Sequence, residues 1–126
     1  MDEVFIPIHE YVGRYEVSNF GIVRSIVRNT LRTNRFGTTH LKRYNSKVLA
    51  TKTNRGGCVE VSLWKENKGK TVSVHRVVLE AFNPTRNTLL EVNHIDGNKQ
   101  NNRLDNLEWV TSSQNKIHRH QLLRQK

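Results

Sequence analysis

His94 heads a group of side chains whose types and spacing suit hydrolysis. Asn93 directly precedes it, Asn106 follows twelve positions later and Asn115 twenty-one positions later. A neutral imidazole can take a proton from water near neutral pH, leaving that water a better nucleophile. The Asn106 amide is expected to hold the imidazole in one tautomer. Asn93 can direct its side-chain oxygen at a hard cation, and such a site suits Mg2+ or Mn2+, which take oxygen ligands and keep several waters. Asn115 is expected in the first turn of a helix, whose N-terminal dipole favours an anion such as a phosphate. Each residue also has a plainer reading. A lone histidine is commonly a packing residue, and asparagines with Asp96-Gly97 are turn formers whether or not they do chemistry.

The elements needed to position this group are readable around it. Leu90–Ile95 reads as a strand, followed by an Asn-rich loop, a second strand at Leu107–Val110 and a helix. Thr111-Ser112-Ser113-Gln114 has the form of a capping box, in which hydroxyl and amide satisfy the first backbone donors. Trp109 is expected to pack the helix on the hairpin. His118, three positions beyond Asn115, can face the same site, whereas His120 is expected at the surface. Upstream, His75–Phe82 reads as a helix with Val78, Leu79 and Phe82 on one face, stopped by Asn83-Pro84. Three β-like runs precede it, Val48–Thr51, Cys58–Trp64 and Thr71–Val74, separated by turn residues at 54–57 and 67–70. A hairpin is expected from Tyr15–Ser18 and Ile22–Ile26 about Asn19-Phe20-Gly21.

A chain of 126 residues fits one domain with a modest core, and only 35% of it is hydrophobic. Its formal charge of +10 is unevenly spread: residues 1–20 are net negative, and nearly all the excess lies in 21–76. Between Arg24 and Lys52 there are eight basic residues and no acid, with Phe36 and Tyr44 interleaved. A field of that sign suits a polyanion, because neutralising phosphates releases condensed counterions. This stretch has little periodicity and is expected to order only against nucleic acid. Arg24, Arg28, Arg32, Arg35, Lys42, Arg43, Lys47, Lys52 and Arg55 are the candidate DNA-contacting residues. No apolar run has the length of a signal sequence or membrane span, so a cytoplasmic protein without membrane partners is expected. The single Cys58 excludes a disulfide framework and a Cys-based zinc module.

The stretch VNHIDGNKQNNRLDNLEWVT at 92–111, with Asn115 beyond it, resembles the HNH nuclease motif, a ββα-metal finger that hydrolyses DNA phosphodiesters. VHRVVLEAFN at 74–83 and FIPIHEYVGRYEVSNFGIVRSI at 5–26 extend the similarity to phage and intron-encoded HNH homing endonucleases. The resemblance implies an α+β fold, an N-terminal antiparallel β region followed by the ββα-metal finger. It divides the chain at 1–52, a β-hairpin module with the basic segment, and 53–126, the β segment, helix and finger, together forming one unit. It makes His94 the general base, Asn106 its orienting partner, and Asn93 and Asn115 the metal ligands. The implied partner is double-stranded DNA, bound by a monomer acting in the host cell of a phage or in a bacterium. One finger per monomer implies nicking of one strand. Many members have Asp at the position of Asn93, so this site is expected to hold its cation without a protein carboxylate, and Asn93→Asp to lower the metal requirement. Some members continue into a helix–turn–helix reader; with the chain ending at Lys126, a shorter recognition site is expected. The alternative is a DNA-binding protein with an inactive finger.

Overall fold

The helix Val74–Phe82 (α1) is the element on which the rest of the fold is assembled. Its Val74, Val77, Val78 and Leu79 are all buried, an apolar stripe recurring at three- and four-residue steps. Asn83 N–H closes the last turn on Leu79 O (2.8 Å), and Pro84 prevents continuation. A computed structural model describes residues 2–124, leaving aside the side chains of 28–30, 44, 120 and 122–124.

Among the described residues there are eleven short strands: β1 Phe5–Pro7, β2 Tyr15–Ser18, β3 Val23–Ser25, β4 Arg28–Thr33, β5 Thr39–Tyr44, β6 Lys47–Val48, β7 Lys52–Thr53, β8 Val59–Lys65, β9 Lys68–Ser73, β10 Glu91–His94 and β11 Leu107–Val110. The second helix, α2, spans Ser112–Arg124. All pairings among the described strands are antiparallel, in sheets ordered β1-β2-β3-β6, β4-β5, β7-β8-β9 and β10-β11. In β8, Val61 and Leu63 are buried while Ser62 and Trp64 face outward, the two-residue alternation of a half-covered strand. Ile8, Val17 and Val23 meet Val61, Leu63, the α1 stripe and Leu107 in a shared core. Strand β7 crosses the division expected at 52/53, and this core joins both sides of it.

The basic segment departs from expectation. It forms the β4–β5 hairpin, a regular element that its lack of periodicity did not suggest, with Leu31 directly opposite Leu41 and Arg32 opposite His40. Its turn is made locally: Asn34 Oδ1 accepts from Phe36 N–H (2.9 Å) and Thr38 N–H (3.0 Å), and Gly37 supplies the positive φ of 81°. Of Val48–Thr51, expected as one strand, only Val48 is in a strand, ending β6, which pairs with β3; residues 49–51 connect it to β7, which pairs with β8.

The turn between β2 and β3 reaches the finger. Asn19 O accepts Leu104 N–H at 2.9 Å, and a Cβ on Gly21 would lie 2.8 Å from the Asn102 carbonyl oxygen. Gly21 also has φ of 86°, a conformation costly for any L side chain. Gly21→Ala is therefore expected to cost roughly 2–4 kcal/mol, combining backbone strain with a backbone clash. An unchanged urea midpoint would show that this turn is not wedged against the finger.

Candidate active site

Strands β10 and β11 pair from Glu91↔Val110 to His94↔Leu107, and the loop between them is closed by side chains. Asn106 is the main clasp. Its Oδ1 accepts Asp96 N–H (3.0 Å), while Nδ2 donates to Asp96 Oδ1 (3.0 Å) and Asn101 O (2.9 Å). Ile95 N–H donates to Asn106 O at 2.8 Å. Asp96 also accepts from Asn101 Nδ2 and Asn98 N–H. These donors, Asn101 foremost, hold its carboxyl below the usual carboxylate range.

The amide on the His94 ring comes from another residue. His94 Nε2 lies 2.9 Å from Asn102 Oδ1, with both residues buried. An amide oxygen only accepts, so Nε2 carries the proton and Nδ1 keeps the lone pair that a general base needs. This corrects the expectation that Asn106 touches the imidazole: both its N–H groups are spent on Asp96 and Asn101. Asn106 instead shapes the loop on which Asn102 sits. The His94 residue is 7% exposed, and its ring lines a cleft of about 230 Å³ together with Asn93, Asn115 and His118.

His75, expected from sequence to open the first helix, stands edge-on to His94 with ring centroids 5.0 Å apart. Its Nδ1 is buried without a partner among the described residues. Desolvation, then the proximity of His94 and Arg76, lowers its pKa to about 4. The unfolded chain therefore binds this proton first. The contribution to stability is complete above about 6.5 and is lost as pH falls toward about 4. For a partly exposed ring this amounts to on the order of 1–2 kcal/mol. His75→Gln should narrow the gap between urea midpoints at pH 7 and 4.5; an unchanged gap would place the acid sensitivity elsewhere.

The residues expected to hold a metal come together. Antiparallel register puts Asn93, Glu91 and Glu108 on the face of the hairpin toward α2, with His94 on the opposite face. Because this sheet has two strands, β10 is an edge, and the cleft reaches both faces around it. Asn93 Nδ2 donates to Glu108 Oε1 (2.9 Å), and its Oδ1 accepts from His118 Nδ1 at 2.9 Å. Asn115 Nδ2 donates to Glu91 Oε1 at 3.0 Å. The Asn115 and Ser112 donors hold the Glu91 carboxyl below its ordinary range. Both amide nitrogens are thus held by carboxylates, and the oxygens are the atoms left to face a cation, that of Asn93 in exchange for its His118 contact, a donor chemistry that fits a hard cation. The α2 N-terminus is built as its sequence suggests: Gln114 N–H donates to Thr111 Oγ1 (3.1 Å) and Thr111 N–H to Gln114 Oε1 (2.9 Å). Lys99 and Arg119 add positive charge to the cleft wall, which their positions in sequence did not signal. Trp109 is half-buried against the core, with Nε1 donating to Asn83 O at 2.7 Å.

The candidate DNA-contacting residues are dispersed. Arg32, Lys42 and Arg43 lie along the β4–β5 hairpin and Arg35 at its tip, beside Phe36, which is 78% exposed. Lys47, Lys52 and Arg55 are exposed in β6, β7 and the turn after it. Arg24 is already engaged, paired with Glu16 at 2.9 Å and stacked 3.5 Å over the Phe5 ring. The Arg28 side chain lies outside the described residues.

A two-stranded hairpin that presents a histidine, closed by a capped helix carrying Asn115, has the ββα arrangement expected of an HNH finger. Comparison with known proteins agrees: the chain carries an HNH endonuclease domain over residues 72–117 and a NUMOD4 motif over residues 3–64. It is 37% identical over 108 residues to the DNA endonuclease I-HmuI of Bacillus phage SP01, covering 86% of this chain and 52% of that protein. It is 44% identical over 82 residues to the HNH endonuclease L245 of Acanthamoeba polyphaga mimivirus, covering 65% of this chain and 24% of that protein. The solved structure of I-HmuI, described as DNA binding and cleavage by an HNH homing endonuclease, superposes with a TM-score of 0.74 at 35% identity, covering 94% of this chain and 58% of that one. The chain thus spans from a quarter to about half the length of these curated relatives.

Proposed function

We propose that this protein is a metal-dependent DNA endonuclease that hydrolyses one phosphodiester per encounter and acts as a nickase. One observation carries the reading: His94, oriented through Nε2, lines the same cleft as Asn93 and Asn115, whose amide nitrogens are held by carboxylates. His94 Nδ1 takes the proton from a water directed at the phosphorus, and Asn102 stabilises the ring as it becomes charged. A divalent cation, when bound, offsets the charge growing on the phosphate and the leaving oxygen. Asn93 and Asn115 hold it, and Mg2+ and Mn2+ are the ions their oxygens favour. Lys99 and Arg119 draw the DNA backbone toward the cleft.

The β4–β5 hairpin is a two-stranded ribbon with basic residues on both faces, a shape that a DNA groove admits. Arg32, Arg35, Lys42 and Arg43 are its contacts, with Lys47, Lys52 and Arg55 continuing the positive surface. Arg24 braces the first sheet. Double-stranded DNA is the substrate, the monomer is the acting form, and the host cell is the place of action. Among the described residues, no helix is long and apolar enough to cross a membrane. The test is conversion of supercoiled plasmid to open circles with Mg2+ or Mn2+. Linear product at the first turnover would overturn single-strand cutting. Undiminished cleavage in EDTA would overturn the metal dependence.

A further inference from the structure

The cleft presents a problem of charge. A dication is to be held by two neutral amides, with Lys99 and Arg119 on the same wall, and among the described residues no cluster of three His, Cys, Asp or Glu side chains could hold it instead. Neutral oxygens alone bind a doubly charged ion weakly against that background.

The negative charge is present one layer back. Glu108 lies directly across the ladder from Asn93, and its Oε1 accepts the Asn93 amide N–H at 2.9 Å. Glu91 lies two residues before Asn93 on the same face, and its Oε1 accepts the Asn115 amide N–H at 3.0 Å. Among the described residues, Glu108 forms no salt bridge that would neutralise it. A carboxylate on the N–H side of an amide does two things. It fixes which way the group points, and it polarises the conjugated system so that its oxygen becomes more negative.

Resting on the reading of this cleft as a metal site, we propose that Glu108 and Glu91 are positioning residues that deliver carboxylate charge to the cation through the amides of Asn93 and Asn115. The Asn93–Glu108 pair then works as a unit in which the outer residue carries the charge. This revises the effect expected of Asn93→Asp. Made alone, that change removes the donor and sets two carboxylates side by side across the strands, so much of its benefit is lost. Combined with Glu108→Gln it reverses the pair, because the new amide donates to the new carboxylate.

The experiment is an EPR titration of the DNA-free chain with Mn2+, read from the loss of the free-ion signal. Glu91→Gln/Glu108→Gln keeps an oxygen to accept each amide N–H and removes only the charge. It is expected to weaken Mn2+ binding about 10- to 100-fold, the usual effect of outer-layer groups on metal affinity. Asn93→Asp/Glu108→Gln is expected to bind at least as tightly as the unaltered chain. Unaltered affinity in the first variant, or no gain from Asn93→Asp in the Glu108→Gln background, overturns the proposal and leaves the metal site standing. Failure of the unaltered chain to bind Mn2+ removes the metal reading and the proposal together.

Discussion

His94→Ala is expected to lower the single-turnover nicking rate by about 10³-fold while leaving DNA affinity within about threefold of the unaltered chain. The two readouts separate because they rest on different groups. Proton removal from water needs the Nδ1 lone pair, and His75, the imidazole edge-on to it at 5.0 Å, cannot substitute with its own Nδ1 buried. The DNA affinity proposed here rests on dispersed positive charge on the hairpin and cleft wall, none of which this change touches. His94→Gln, better suited to a buried position, guards against a loss caused by unfolding; both variants should show the circular dichroism of the parent. Near-normal nicking by either would remove His94 from the reaction. A parallel collapse of DNA binding would make it a structural or binding residue.

The second large effect is expected at Asn102. Asn102→Leu removes the acceptor that holds the His94 Nε2 proton and should lower the nicking rate roughly 10- to 100-fold. Asn102→Asp keeps an acceptor at that place and should retain most of the activity, with the pH dependence of the rate moved upward because a carboxylate favours the charged imidazole. The contrast between the variants is the informative quantity, since a spacer role for Asn102 would not move the pH profile. Equal losses in both, with the profile unmoved, would mean that the 2.9 Å contact does not orient the base. The turn at Gly21 lies against the backbone of this same Asn102.

Much of the finger was legible because its determinants are local. The capping box at Thr111–Gln114, the stop at Asn83-Pro84 and the Leu107–Val110 strand each follow from a few adjacent residues, and the structure reproduces them. The β4–β5 hairpin was missed for a physical reason. Hydrophobic periodicity reports a buried face, and Leu31 and Leu41 on this ribbon are 70% and 68% exposed, so there was no such face to report. Its order comes from the Asn34 turn and the cross-strand ladder. The partner of the imidazole was misread because Asn101, Asn102 and Asn106 are chemically alike, and only the path of the loop decides which amide reaches the ring.

The sequence by itself determined the kind of protein this is. The types and spacing of Asn93, His94, Asn106 and Asn115, set in a strand, loop, strand and capped helix, carry that information, because turn chemistry, capping and strand alternation act over a few residues. Tertiary structure alone decided the connections between distant positions. It set His75 against His94, Gly21 against Asn102, Glu16 on Arg24, and Glu108 and Glu91 behind the two asparagines. Such contacts depend on sheet register and on how α1 and α2 seat on the hairpin, and packing settles these across the whole chain.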